Sequence, residues 1–395
     1  MGIVLTGRVD LHEVFARFRP EMKWLKITCA SKAAYGCGEH GQSVLEGITL
    51  YMSTDDYPHL TSSLCFTVTD DAFEGILAEF CATKKHLAEI SNSVRDIRVL
   101  GNILISDQRL MVLTIHFRLR CNELIYYLVY DSRAASLSMI TALPDGHEAI
   151  YTMTPVLRSD ARGGDEYELA VLARKHCGPE GCIDQDVLCV CTLGTRANPG
   201  PAPDGIGPWK MIRRCSPKDI HAPFFADVMF SLDGKAFWTD LLQGMVYCDL
   251  CERNADMKFG FIGLPEQYRV DFVNDEKDTD TEPAKMSRTV GCFGSKICFV
   301  SIDRNGSCGD EVLTVWTMNV PGGKWKVEIQ KTANELWELY GFEKAGLPKV
   351  APEYPVLVPD GSLCLVLSGT PNTMECSLED VDGVSRSETH SKSLL

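Results

Sequence analysis

Six dipeptides that accept positive backbone φ punctuate this chain between short apolar runs: Asp145-Gly146, Asp204-Gly205, Asp233-Gly234, Asn305-Gly306, Gly322-Gly323 and Asp360-Gly361. Two such residues reverse an extended chain with a twist that matches the flanking strands, so a sequence spaced this way folds as paired antiparallel strands. Two hairpins are spelled out in full, VMFSL-Asp233-Gly234-KAFW and YPVLVP-Asp360-Gly361-SLCLVL. Between Gln108 and Leu119, Val112, Thr114, His116 and Arg118 alternate with Leu113, Ile115, Phe117 and Leu119, the period of a half-buried strand. Leu124 to Tyr130 is apolar throughout and predicts a strand covered on both faces.

Helical spacing is confined to two places. Phe73, Ile76, Leu77, Phe80, Cys81, Leu87 and Ile90 fit one face of a helix over 73–90, with Asp71 as its cap and Glu74 three residues on. Thr332-Ala-Asn-Glu335 is a capping box ahead of Leu336, Trp337 and Leu339, stopped by Gly341. The chain therefore reads as all-β, with one or two short helical insertions.

A weak internal repeat refines this. Residues 126–144 and 245–265 both run strand, Asp, polar turn, strand and Leu-Pro, followed by Asp145 or Glu266, and 313–329 is a partial third copy. Repeated hairpins of this size predict a β-propeller-like array of roughly six to eight antiparallel blades; two separate β-rich domains are the alternative. The Pro/Gly-rich stretch 199–208 divides an N-terminal β-rich half, 1–198, from a C-terminal half, 209–370, with a disordered tail over 371–395. The acidic stretch Asp271 to Pro283 reads as an exposed loop.

Charge and cysteine usage exclude several function classes. The net charge is −15, and the longest basic runs are the pairs Lys84-Lys85 and Arg213-Arg214, which is not the basic patch a nucleic-acid binder needs. No apolar run is long enough to span a membrane, and the first residues lack the basic-then-apolar order of a secretory signal. Gly2 with Thr6 fits the loose N-myristoylation pattern, whereas a strand at Ile3 to Leu5 explains the same residues. Seventeen cysteines scattered singly, with Cys65, Cys121, Cys189, Cys191, Cys248, Cys298 and Cys364 inside apolar strands, behave as small buried hydrophobes and point to the cytoplasm or nucleus.

Motifs for chemistry are sparse. Cys248-Asp-Leu-Cys251, with His176, Cys177 and Cys182, is the one candidate zinc set, but residues three apart on a strand point to opposite faces. Gly36-Cys37-Gly38-Glu39-His40-Gly41 gathers a thiol, a carboxylate and an imidazole in one loop; a polar turn accounts for it equally. Asp131, Asp240 and Asp249 read as turn caps, and His116 as a solvated strand residue. There is no nucleophile elbow, phosphate loop, dinucleotide fingerprint or zincin motif. No catalytic, cofactor-binding or metal residue is assigned, and no cofactor is expected.

Ala226-Asp227-Val-Met-Phe, Phe237-Trp238-Thr239-Asp240-Leu241 and Gly244-Met-Val-Tyr-Cys-Asp249, followed by Arg288-Thr-Val-Gly291, Ile297-Cys-Phe-Val300, Val315-Trp316-Thr317, Leu336-Trp337 and Leu347-Pro348, resemble a plant family labelled domain of unknown function 1618. Tyr127-Leu-Val-Tyr-Asp131 and Leu143-Pro144 are similar to its earlier blade, so the resemblance spans about residues 120–368. The pattern is also similar to the propeller domains that follow F-boxes, yet no F-box precedes it. The resemblance implies no catalytic residues. It favours a protein-interaction scaffold with a protein partner. A small-molecule binder or enzyme built in a propeller channel, and a ubiquitin-ligase adaptor, are the alternatives.

Overall fold

The computed structural model describes residues 2–4, 24–54, 62–83, 97–106, 109–120, 122–143, 147–149, 152–159, 167–175, 185–193, 209–215, 224–251, 256–269, 283–304, 309–320, 322–338, 342, 346–357, 362–367 and 373–377. The protein is mostly β, with several antiparallel sheets and few helices.

Among the described residues, six strand units follow one another along the chain. The first contains β1 (Gly2–Val4), β2 (Trp24–Lys26), β4 (Ile48–Thr54) and β5 (Ser62–Val68); β3 (Ser31–Tyr35) leaves this unit to pair with the second. Helix α1 (Gly41–Glu46) precedes β4, and α2 (Asp70–Thr83) follows β5. The second unit is β6 (Ile97–Ser106), β7 (Leu110–Leu119), β8 (Asn122–Asp131) and β9 (Ser136–Thr141), with β3 parallel to β9 at its edge. The third is β10 (His147–Ala149), β11 (Val156–Ser159), β12 (Tyr167–Lys175), β13 (Gln185–Leu193) and β14 (Trp209–Cys215). The fourth, β15 (Val228–Leu232), β16 (Lys235–Asp240), β17 (Gly244–Asp249) and β18 (Asp256–Gly263), is a four-stranded meander. After α3 (Ala284–Ser287) the fifth repeats it as β19 (Arg288–Phe293), β20 (Lys296–Asp303), β21 (Val312–Asn319) and β22 (Lys326–Thr332). Helix α4 (Ala333–Trp337) leads to the sixth: β23 (Pro352–Leu357), β24 (Ser362–Leu367) and β25 (Thr373–Ser377).

Apolar side chains pack between consecutive units. Phe66 and Ile76 of the first unit meet Phe117 and Leu128 of the second; the other face of the second, with Val112 and Tyr127, meets Cys189 and Trp209 of the third. Leu172 and Ile212 meet Trp238 and Val246, Phe237 and Met245 meet Phe299 and Met318, and Val300 and Leu313 meet Leu363 and Leu365. At roughly 25 cal/mol per Å² of apolar surface removed from water, such layers dominate the stabilisation of the fold. The third and fourth units are also joined by a parallel β14–β18 pairing, Arg213 opposite Asp256, giving one nine-stranded sheet.

The local readings hold where turns are local. Asp233 and Gly234 take φ of 49° and 77°, the two left-handed residues that a two-residue hairpin requires. β23 and β24 pair as expected; Asp360 and Gly361 lie outside the described residues. The capping box of α4 is complete, with Thr332 Oγ1 accepting from the Glu335 backbone N–H and the Glu335 carboxylate accepting from Thr332 N–H. The repeat corresponds to β8–β9, β17–β18 and β21–β22, the last two strands of the second, fourth and fifth units.

Other expectations change. Helix α2 begins at Asp70, and Thr69, not Asp71, accepts from its first turn; residues 84–90 lie outside the described residues. β7 is not half-buried, because Val112 is enclosed by the third unit, Thr114 is also buried, and only its His116–Arg118 end is open. The connector 199–208 lies outside the described residues; β13 and β14 on either side of it pair, Val187 opposite Arg213. The tail does not begin at 371, since Thr373–Ser377 pairs with β24. The 271–282 part of the acidic stretch lies outside the described residues, as do Cys121, His176, Cys177 and Cys182. Gly2–Val4 forms a strand against β5. Among the described residues no helix is long and apolar enough to cross a membrane.

Candidate functional site

The two thiol motifs do not converge on chemistry. Cys248 is buried in the core while Cys251 is exposed, as expected of residues three apart leaving a strand, and among the described residues no group of His, Cys, Asp and Glu could hold a metal ion. The thiol of Cys37 is buried, donates to the carbonyls of Tyr35 and Met139 at 3.3 and 3.4 Å, and is pushed up to about 12 by burial. It stays protonated at neutral pH and is no nucleophile. In the same loop the Glu79 carboxylate of α2 accepts from the His40 backbone N–H at 2.9 Å, so the loop is anchored and not assembled for catalysis.

The three aspartates serve the turns. Asp131 Oδ1 accepts from Arg133 and Ala134 N–H, Asp249 Oδ1 from Cys251 N–H, and Asp240 Oδ1 from Leu242 and Gln243 N–H. The other oxygen of Asp240 accepts from Phe225 N–H at 3.0 Å and from Gln243 Nε2 at 3.2 Å. Burial raises the pKa of Asp240 against these hydrogen bonds, with Asp227 adding a like charge. His116 is half-buried, and its Nδ1 lies 3.2 Å from Glu123 Oε1.

A denser polar arrangement sits where β15, β19 and β23 begin. Lys285 of α3, the helix that leads into β19 and packs on β23, reaches Asp227 at 3.5 Å. One residue past α3, Arg288 donates Nη1 to the carbonyls of Leu241 and Tyr268, both at 3.1 Å, and its guanidinium lies 5.3 Å from the centroid of the Tyr268 ring. A guanidinium is weakly hydrated and planar, so it tolerates this half-buried seat, where hydrogen bonds to a charged donor contribute about 1.5–3 kcal/mol each. Burial lowers its pKa, while Asp303 and Tyr268 pull the other way.

Tyr268 ends the 3-10 turn Glu266–Tyr268 after β18 and is buried against Phe299 and Trp316. Its hydroxyl donates to Asp303 Oδ2 at 2.7 Å and accepts from the fully buried Ser301 hydroxyl at 2.8 Å. Burial first, and Asp303 second, raise the phenol pKa, so it remains a donor at neutral pH. Asp303 thus has one oxygen fixed from behind by an ordered Ser301–Tyr268 relay. Among the described residues no hydrogen bond reaches its Oδ1. The next residue, Arg304, donates to Glu353 of β23 at 2.9 Å and so ties the fifth unit to the sixth.

Sequence reading missed Tyr268, Ser301 and Asp303. They are single residues of common types, brought together only by the packing of the Glu266–Tyr268 turn against β20. The faint signals were the position of Tyr268 after the repeat's Leu264-Pro265-Glu266, and of Asp303 at a strand end before Asn305-Gly306.

Residues 238–364 match the profile of the family described as "Protein of unknown function (DUF1618)". The match covers less than half of the chain. It holds Asp240, Tyr268, Arg288, Ser301, Asp303, Arg304 and Glu353, and is narrower than the 120–368 span of the sequence resemblance. A search among curated proteins finds no match to the chain. Solved structures similar to it include the catalytic domain of a GH62 α-L-arabinofuranosidase from Coprinopsis cinerea, at TM-score 0.31 and 10% identity over 76% of this chain and 90% of that one. Another is the α-L-arabinofuranosidase PaAbf62A from Podospora anserina, at TM-score 0.29 and 10% identity over 74% and 85%. Both are named as enzymes and neither as a scaffold or a ligase adaptor, so the expectation of a protein-interaction scaffold is withdrawn. At such low TM-scores the likeness supplies no argument about the activity of this chain.

Proposed function

We propose that the six units are blades of a propeller-like array, and that the end where β15, β19 and β23 begin binds a small, neutral, hydroxyl-bearing ligand at Asp303. The array is supported by apolar layers between every pair of consecutive units, and by the neighbouring of β11 with β15, β15 with β19, and β19 with β23. The ligand reading is carried by one observation: a half-buried carboxylate whose one oxygen is held by the Ser301–Tyr268 relay. A carboxylate held in this way presents its remaining lone pairs in a fixed direction without paying to order them at the moment of binding.

Charge selects the ligand class. Four acids, Asp227, Asp240, Asp303 and Glu353, stand among three cations, Lys285, Arg288 and Arg304. Near balance leaves little net field to attract an ion, so a neutral donor of hydroxyl hydrogens is favoured over an amine or a phosphate. The test is ligand-observed NMR of the full chain against a library of neutral hydroxylated, cationic and anionic small molecules, repeated with Asp303→Asn and Tyr268→Phe. Neutral hydroxylated compounds should bind the wild type, bind Tyr268→Phe more weakly, and lose Asp303→Asn while its thermal unfolding stays cooperative. Equal binding by wild type and Asp303→Asn would refute the site.

A further inference from the structure

We propose that Tyr354 is the aromatic contact of the Asp303 site, and that the ligand is a hydroxylated ring, a sugar or cyclitol, and not an open-chain polyol. This rests on the reading of Asp303 above. Tyr354 has φ of +46° inside a strand, a conformation that side-chain-bearing residues avoid because Cβ crowds the following carbonyl, at about 1–2 kcal/mol. The ladder between β23 and β24 slips at this point: Glu353 faces Val366, Val356 faces Cys364, and Tyr354 and Pro355 fall in the bulge between them. Bulges of this kind re-aim a side chain, often beside a binding site. Here the outcome is a tyrosine 43% exposed and a Val356 52% exposed, while Pro355 between them is buried. A strained backbone that exposes an aromatic ring destabilises the free protein, so the strain points to a role in binding.

The position of Tyr354 connects it to Asp303. Arg304 follows Asp303 and Glu353 precedes Tyr354, and the side chains of Arg304 and Glu353 are joined at 2.9 Å. One salt bridge therefore joins the residue after Asp303 to the residue before Tyr354, on two units, and the bulge at Tyr354–Pro355 frees the ring from the strand's strict alternation. A saturated ring with equatorial hydroxyls has an apolar C–H face for the tyrosine and hydroxyl edges for Asp303. An open-chain polyol offers the same hydroxyls, but it has no flat face and loses the freedom of several rotors on binding.

The experiment is calorimetric titration of the full chain with D-xylose against xylitol and myo-inositol against sorbitol, for wild type, Tyr354→Phe, Tyr354→Leu, Tyr354→Gly and Asp303→Asn. Rings should bind and open chains should not. Tyr354→Phe should stay within about threefold, and Tyr354→Leu should lose about tenfold or more. Tyr354→Gly should lose binding with an unchanged or higher melting temperature, because glycine accepts the positive φ. Equal binding of rings and chains overturns the proposal, as does no binding of either ring, or a lowered melting temperature for Tyr354→Gly. If Asp303→Asn abolishes ring binding and Tyr354→Leu does not change it, the site at Asp303 stands and the role of Tyr354 falls.

Discussion

Lys235 and Asp249 stand directly opposite one another on β16 and β17, with the ammonium 2.8 Å from Oδ2. The relationship recurs across the units. In the second, Arg109 immediately before β7 grips Asp131 at the end of β8, Nε to Oδ1 at 3.2 Å and Nη2 to Oδ2 at 2.7 Å. In the fifth, Lys296 faces Asn319 at the same ladder position, no carboxylate stands there, and the ammonium turns to Glu328 of β22 at 3.3 Å. A cation at the start of the second strand and an acid at the end of the third is thus a repeat signature carried by side chains.

If the positions are equivalent, Asn319→Asp should restore the pair. Glu328→Ala is expected to lower stability by about 0.5–1 kcal/mol, since both partners are largely solvated and Thr317 also loses its bond to Glu328. Adding Asn319→Asp should recover part of that loss in urea denaturation. An unchanged or lower midpoint in the double variant would show that the ladder position has no energetic meaning.

The three pairs should differ with burial and with pH. The Asp131 side chain is 5% exposed and that of Asp249 30%. Arg109→Ala strands a buried carboxylate and should cost about 3 kcal/mol, against at most about 1 kcal/mol for Lys235→Ala. Burial pushes the Asp131 carboxyl upward, but the Arg109 hydrogen bonds and the turn N–H groups outweigh it and hold the pKa below the usual range. A depressed folded pKa contributes stability above the unfolded value of about 3.9, and this is lost as pH falls through the lower folded value. The difference between wild type and Arg109→Ala should therefore be full at neutral pH and shrink in acid. A gap that stays constant across that titration would assign the loss to packing alone.

Gly38→Ala should be among the most damaging single-methyl additions. A Cβ there would lie 2.2 Å from Glu79 Oε2, and Gly38 sits at φ +76°. The combination of overlap and left-handed backbone predicts a loss of about 2 kcal/mol or more. Adding Glu79→Ala should recover at most part of it, because the overlap goes, the backbone strain stays and the acceptor for His40 N–H is lost. Full recovery in thermal melts would mean that the φ carries no penalty.

The hairpins, the α4 capping box and the aspartate turns could all be read because each is decided within a few residues: Asp233-Gly234 must turn, and Thr332 must meet Glu335. The extent of β7 burial could not. A period of two says which side chains share a face, but Val112 is buried among side chains that lie 55 or more residues on, at Tyr167 and beyond.

Short-range chemistry in the sequence therefore determined that this protein is built of repeated antiparallel hairpins with few helices. Only the tertiary structure decided where polar groups meet. Tyr268 and Asp303 are 35 residues apart, and Arg304 and Glu353 are 49 apart. Their encounters depend on how far one twisted sheet rotates over the next, a property summed over whole apolar layers and recorded in no local run of residues.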